Sequence, residues 1–114
     1  MKLPSKIKFA DGKVKKAFGE LEHSTTEDKQ LYRFLIQAFE NLEHDAFSGI
    51  QLPKRQIPKA YFQKYGVDNM WKYNLPNAWR LLYSVAREEV IVVSIVLEWL
   101  DHKNYDRRFG YKTS

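Results

Sequence analysis

The chain has 114 residues, no cysteine and a formal net charge of +5. That length suits one domain over residues 1–114, able to bury roughly two thirds of its unfolded surface without metal or disulfide staples. Without cysteine, disulfide scaffolds, thiolate metal sites and cysteine nucleophiles are excluded.

The stretch KIKFA (residues 6–10) alternates lysine with apolar residues, as a short edge strand does. Asp11 is placed to cap a helix in which Val14, Ala17, Phe18 and Leu21 recur at helical spacing. A second helix follows, with Ser24 and Glu27 as its expected capping box. Leu31, Phe34, Leu35, Ala38, Phe39 and Leu42 make one apolar stripe along it, and Gly49 lies just past its end. The two helices are expected to form a hairpin with its apolar side against another layer.

Pro58 at a first helical position and Gly66 as a stop then mark one or two helical turns. Beyond them the period changes from helical to two. MWKYNL alternates Trp71, Tyr73 and Leu75 with Lys72 and Asn74. After a PNA turn, WRLLYSV sets Trp79, Leu81, Tyr83 and Val85 on one face and Arg80, Leu82 and Ser84 on the other. AREE turns again, and VIVVSIVLEWL is apolar on both faces, as a central strand is. These elements predict an α+β fold, an N-terminal helical hairpin packed on one face of a curved antiparallel sheet.

No apolar segment is long enough to span a bilayer, and MKLPSKIKFADGK has no apolar signal core. A cytoplasmic protein without membrane contact is therefore expected. Residues 1–49 carry eight Lys/Arg and eight Asp/Glu, whereas residues 50–114 carry eleven against six. The whole excess of positive charge thus falls in the second half, consistent with a polyanion partner.

If the aromatic side chains face the helices, Lys72, Asn74 and Arg80 point together onto the opposite, open face. LDHKNYDRRFGY, which leaves the last strand, would bring His102, Lys103, Tyr105, Arg107, Arg108 and Tyr111 to its rim. Each has a bland reading: strand charges, core aromatics, a surface histidine beside Asp101, a solubilising tail. Their convergence on one side favours a site. A cationic concavity with His and Tyr suits metal-free cleavage of RNA, in which the 2′-hydroxyl attacks the neighbouring phosphodiester. Histidine shuttles protons near neutrality, Lys and Arg stabilise the developing charge, and exposed Tyr or Trp stacks on unpaired bases. No cofactor is expected. There is no HExxH or other metal-ligand spacing, no GxSxG and no glycine-rich phosphate loop.

MWKYNLPNAWRLLYSVAREEVIVVSIVLEWLDHKNY, residues 70–105, resembles the C-terminal half of the RelE/ParE superfamily of toxin–antitoxin toxins. The shared pattern is an aromatic-Lys strand, a turn, a WRLLY strand, an apolar strand and a basic HKNY segment. The resemblance is nearer to the ribosome-dependent mRNA interferases than to the gyrase poisons. It implies a RelE-like fold and an endoribonuclease acting on mRNA at the ribosome, neutralised by a cognate antitoxin. That antitoxin would dock on the apolar side of the helical pair or on the sheet edge.

By position, the implied cleavage residues are Lys72, Arg80 and Tyr105, with His102 and Lys103 in the basic segment. Arg80 would hold the scissile phosphate, Lys72 would act as base or charge stabiliser, and Tyr105 would stack on or orient a base. Asn74, Lys103, Arg107, Arg108 and Tyr111 would contact the RNA. Two departures stand out. Asn74 replaces the family's second lysine, leaving His102 as the candidate for proton transfer, and the segment from Gly49 to Asn69 is longer than in compact members. The alternatives are a gyrase inhibitor on the same fold and an RNA-binding protein that has lost cleavage.

Overall fold

Asp11 turns the chain from strand to helix. Its carboxylate accepts a hydrogen bond from the Val14 amide at 2.9 Å, satisfying one of the donors that a helix start leaves open. In the computed structural model, which describes residues 2–110, β1 (Lys6–Phe9) leads through this cap into α1 (Gly12–Leu21). The cap of α2 (Thr26–His44) is Thr25, whose hydroxyl accepts from the Asp28 amide at 3.1 Å. The expected Ser24–Glu27 box is thus one residue out of register. Ser24 still belongs to the turn that closes α1, its amide donating to the Leu21 carbonyl.

A 3₁₀ turn at Ala46–Ser48 precedes β2 (Ile50–Gln51), a two-residue strand that sequence periodicity is too short to reveal. α3 (Lys59–Tyr65) starts after Pro58 rather than on it, and it ends at Gly66 with φ of 65°, the left-handed stop expected there. β3 (Trp71–Asn74), β4 (Arg80–Glu88) and β5 (Ile91–Leu100) follow. The turn into β5 falls at Glu89 and Val90, with Ala86, Arg87 and Glu88 of AREE still in β4. The basic segment is not a tail. It folds as α4 (His102–Phe109), capped by Asp101 and stopped by Gly110 at φ 73°.

The five strands form one sheet in the order β1-β5-β4-β3-β2. It is mixed rather than antiparallel, because β1 runs parallel to β5 while all other neighbours are antiparallel. β1 covers the outer edge of β5 and makes that doubly apolar strand an interior one. A parallel neighbour requires a long crossover, and α1, α2 and the segments after them supply it.

One face of the sheet receives α1 and α2. Leu31, Leu35, Ala38, Phe39 and Leu42 pack there against Leu81, Tyr83 and Val96, flanked by Trp71, Tyr73, Trp79 and Trp99. α1 and α2 also meet through Phe18 and Tyr32, stacked at 4.7 Å between ring centroids. The aromatic parity read from β3 and β4 is therefore the observed one. The apolar side of the helices is covered by the sheet, so it is not the open docking groove expected for an antitoxin.

The other face is not open. Leu82 and Leu97 bury against Leu52, Ile57 and Tyr61 of the 49–69 segment, Met70 just before β3, and Tyr105 and Phe109 of α4. A bulge assists: Leu82 pairs with Glu98 but Tyr83 with Val96, which leaves Leu97 unpaired and turned into this second core. Among the described residues no helix is long and apolar enough to cross a membrane.

Candidate cation–aromatic site

Lys72 on β3 and Arg80 at the start of β4 both project away from α1 and α2, as alternation requires. Their cross-strand partners are Ile50 and Leu82 for Lys72, and Asn74 and Leu100 for Arg80. The two cations meet over a single ring. Lys72 Nζ lies 5.3 Å and Arg80 Cζ 5.8 Å from the centroid of Tyr105, within cation–π range.

α4 places that ring. Asp101 accepts from the Asn104 amide at 2.8 Å, which sets the start of the helix. Tyr105 and Phe109 then fall on its buried side one turn apart and stack at 4.5 Å. Phe109 stacks in turn on Tyr61 of α3 at 5.7 Å. Tyr105 is only 2% exposed, so it is closed to a nucleobase. Base stacking by Tyr105 is therefore corrected: the ring supports the cations.

Arg80 Nη1 donates to the Trp79 carbonyl at 3.2 Å, while its Nε is buried without a hydrogen-bond partner among the described residues. A buried donor left open costs about 1–3 kcal/mol. Neither Lys72 nor Arg80 is in an ion pair among the described residues. Among the described residues the Tyr105 ring faces both cations, with the Trp79 carbonyl accepting from Arg80, and no carboxylate offsets their charge, an arrangement that an anion would complete.

The other expected site residues divide. Asn74 is exposed and sits directly across from Arg80, so it borders the pair. His102 opens α4, and its Nε2 is 3.1 Å from Asp106 Oδ2 one turn on. The histidine is thus held toward its own helix. Lys103 and Arg107 are exposed on α4, one turn apart. Arg108 differs from the free backbone contact expected of it. Its Nη1 is 3.0 Å from Glu98 Oε2 and 3.2 Å from Tyr61 Oη, so most of its charge is engaged within the fold. Burial pushes the Tyr61 hydroxyl well above the usual phenol range, and the neighbouring Glu98 adds to this. Tyr111 lies outside the described residues.

Sequence reasoning missed Asp106, which fixes His102, and it missed Gly49. The Gly49 amide donates to Tyr83 Oη at 3.0 Å, and that hydroxyl donates to the Ala46 carbonyl at 2.8 Å. A Cβ on Gly49 would stand 2.5 Å from the Lys72 carbonyl oxygen, so the glycine lets the chain lie directly behind the lysine. The i, i+4 spacing of His102 and Asp106 was a visible signal for the first; the second depends on tertiary contact. Among the described residues no cluster of three or more His, Asp or Glu is suited to a metal ion.

Compared with known proteins, the chain matches no family model, and no curated protein or solved structure aligns with it significantly.

Proposed function

We propose that the chain is a RelE-like toxin of a type II toxin–antitoxin module, an endoribonuclease that cuts mRNA on the ribosome without a metal. The observation that carries this reading is the pair Lys72 and Arg80, held over the Tyr105 ring with no carboxylate partner among the described residues. Two preorganised cations at one point suit the charge that builds on a phosphorane. In the reaction the 2′-oxygen bonds to phosphorus, its proton leaves to water, and the bond from phosphorus to the 5′-oxygen breaks. Arg80 and Lys72 hold the non-bridging oxygens, and protonated His102 supplies the proton to the departing 5′-oxygen. The products are a 2′,3′-cyclic phosphate and a free 5′-hydroxyl.

Residues around this pair have supporting roles. Asn74 and Lys103 contact the RNA beside it, and Arg107 adds positive charge on the exposed side of α4. The sheet with α1 and α2 on one face is compatible with the RelE-like arrangement. On this reading an antitoxin uses the β2 edge, where Phe47 and Ile50 are about half exposed.

A second reading is favoured by the His102–Asp106 contact and by Asn74: an RNA-binding protein on the same fold that does not cleave. A translation reaction with mapped mRNA ends separates them. The toxin reading predicts discrete cuts that appear only with the protein present and only on mRNA being translated. Salt-dependent RNA affinity without cuts contradicts cleavage, and intact mRNA with blocked gyrase supercoiling contradicts the RNA reading altogether.

A further inference from the structure

A row of stacked rings leads away from Lys72 and Arg80 across the second face. Tyr105 stacks on Phe109 at 4.5 Å, Phe109 on Tyr61 at 5.7 Å, and Tyr61 on Tyr65 at 6.2 Å. Cations follow the row. Lys72 and Arg80 lie over Tyr105, Arg108, its charge offset by Glu98, over Tyr61 at 6.0 Å, and Lys64 over Tyr65 at 5.2 Å. At its far end Lys64 and Tyr65 line a cleft of about 560 Å³ together with Lys13 and Lys16 of α1.

The acids along this path are already occupied. Glu98 is paired with Arg108, and Asp11, which also lines the cleft, caps α1 through the Val14 amide. Lys13, Lys16 and Lys64 are exposed, and none is in an ion pair among the described residues. The near-zero charge of the first half of the sequence hides this, because Lys13 and Lys16 are brought by the fold to the basic second half. Tyr105, Tyr61 and Phe109 are buried, so the row offers aligned positive charge and no stacking platform for bases. A line of cations without base contacts fits a linear polyanion read through its phosphates.

We propose that RNA engaged at Lys72 and Arg80 continues as a single strand along this row to Lys13, Lys16 and Lys64, where its phosphates are held whatever the base sequence. The proposal rests on the RNA reading above, and it assigns to α3, within the 49–69 insertion, the role of lengthening the RNA site.

The test uses fluorescein-labelled oligouridylates of about 16 and about 4 nucleotides, the range of single-strand site sizes, titrated by anisotropy over a salt series. K13A/K16A/K64A is compared with the wild type and with K29A/R33A/R87A, which removes three exposed cations elsewhere. The proposal predicts that only the first variant loses affinity for the long oligomer. Its slope of log affinity against log salt should fall by about 2, the value for three lost phosphate contacts on a single strand, with the short oligomer bound as before. A slope equal to that of the control variant overturns this inference and leaves the RNA site standing. Failure of the wild type to bind either oligomer overturns both.

Discussion

With 2% of its surface exposed, Tyr105 offers a ring face to Lys72 and Arg80 and none to a nucleobase. Each cation gains roughly 0.5–2 kcal/mol from such a face, enough to hold a long side chain in place before an anion arrives. What the site needs from Tyr105 is thus the ring. Tyr105→Phe should keep RNA affinity and cleavage within about twofold, whereas Tyr105→Ala should cost about 3–5 kcal/mol in urea unfolding and also weaken RNA binding. A Phe variant that folds normally but does not cleave would instead give the hydroxyl a chemical role. The family resemblance singled out Tyr105 but gave no sign of its burial. Its partner Phe109 sits among Lys103, Asp106, Arg107 and Arg108, and that charge density reads as a solvated tail until Tyr61 is placed beneath it.

Between the elements, β2 and the turn before it brace the back of β3. Tyr83 Oη bridges the Gly49 amide and the Ala46 carbonyl, and Gly49 leaves room for the Lys72 carbonyl and the Tyr83 ring. Gly49→Ala would place a Cβ 2.5 Å from that backbone oxygen and 2.7 Å from Tyr83 Oη. Backbone cannot swing aside as a side chain does, so the variant should lose about 1–3 kcal/mol in urea unfolding and shift Lys72 with its strand, lowering cleavage as well. An unchanged midpoint would show that the turn relaxes freely.

Nearby, Asp45 accepts from the Leu3 and Phe47 amides, both at 3.0 Å, and these bonds hold its carboxyl below the ordinary 3.8. A lowered folded-state pKa contributes stability that is present above the ordinary carboxylate range and fades as pH falls through the lowered value. Urea midpoints of Asp45→Asn between about pH 5 and pH 2 should therefore fall less steeply than the wild type's. α4 was partly written in the sequence, in the Asp101 cap, the Tyr105–Phe109 spacing and the Gly110 stop. Its charged composition masked a helix that buries Tyr105, Asp106 and Phe109 alone.

Across the whole molecule, alternation was the most informative property of the sequence. It set Lys72 and Arg80 on the face opposite Trp71, Tyr73, Leu81 and Tyr83, and the observed pairing keeps them there. Local pattern carries no information about which strand lies beside β5, so the parallel β1 and the mixed sheet were not legible. Nor was the lid on the second face, since Leu52, Ile57 and Tyr61 are too widely spaced to show a period. The result is a site at the end of a covered face, bordered by a sheet edge, rather than an open concavity. On the proposed function, Arg80 and Lys72 together stabilise charge on a scissile phosphate. The direct measurement is mRNA cleavage in a translation reaction by Arg80→Ala, alongside its thermal unfolding. Cleavage should fall by about 10²–10³, as when one donor to a developing oxyanion is removed, with the midpoint of unfolding little changed. Cleavage at the wild-type rate by the folded variant would contradict the account.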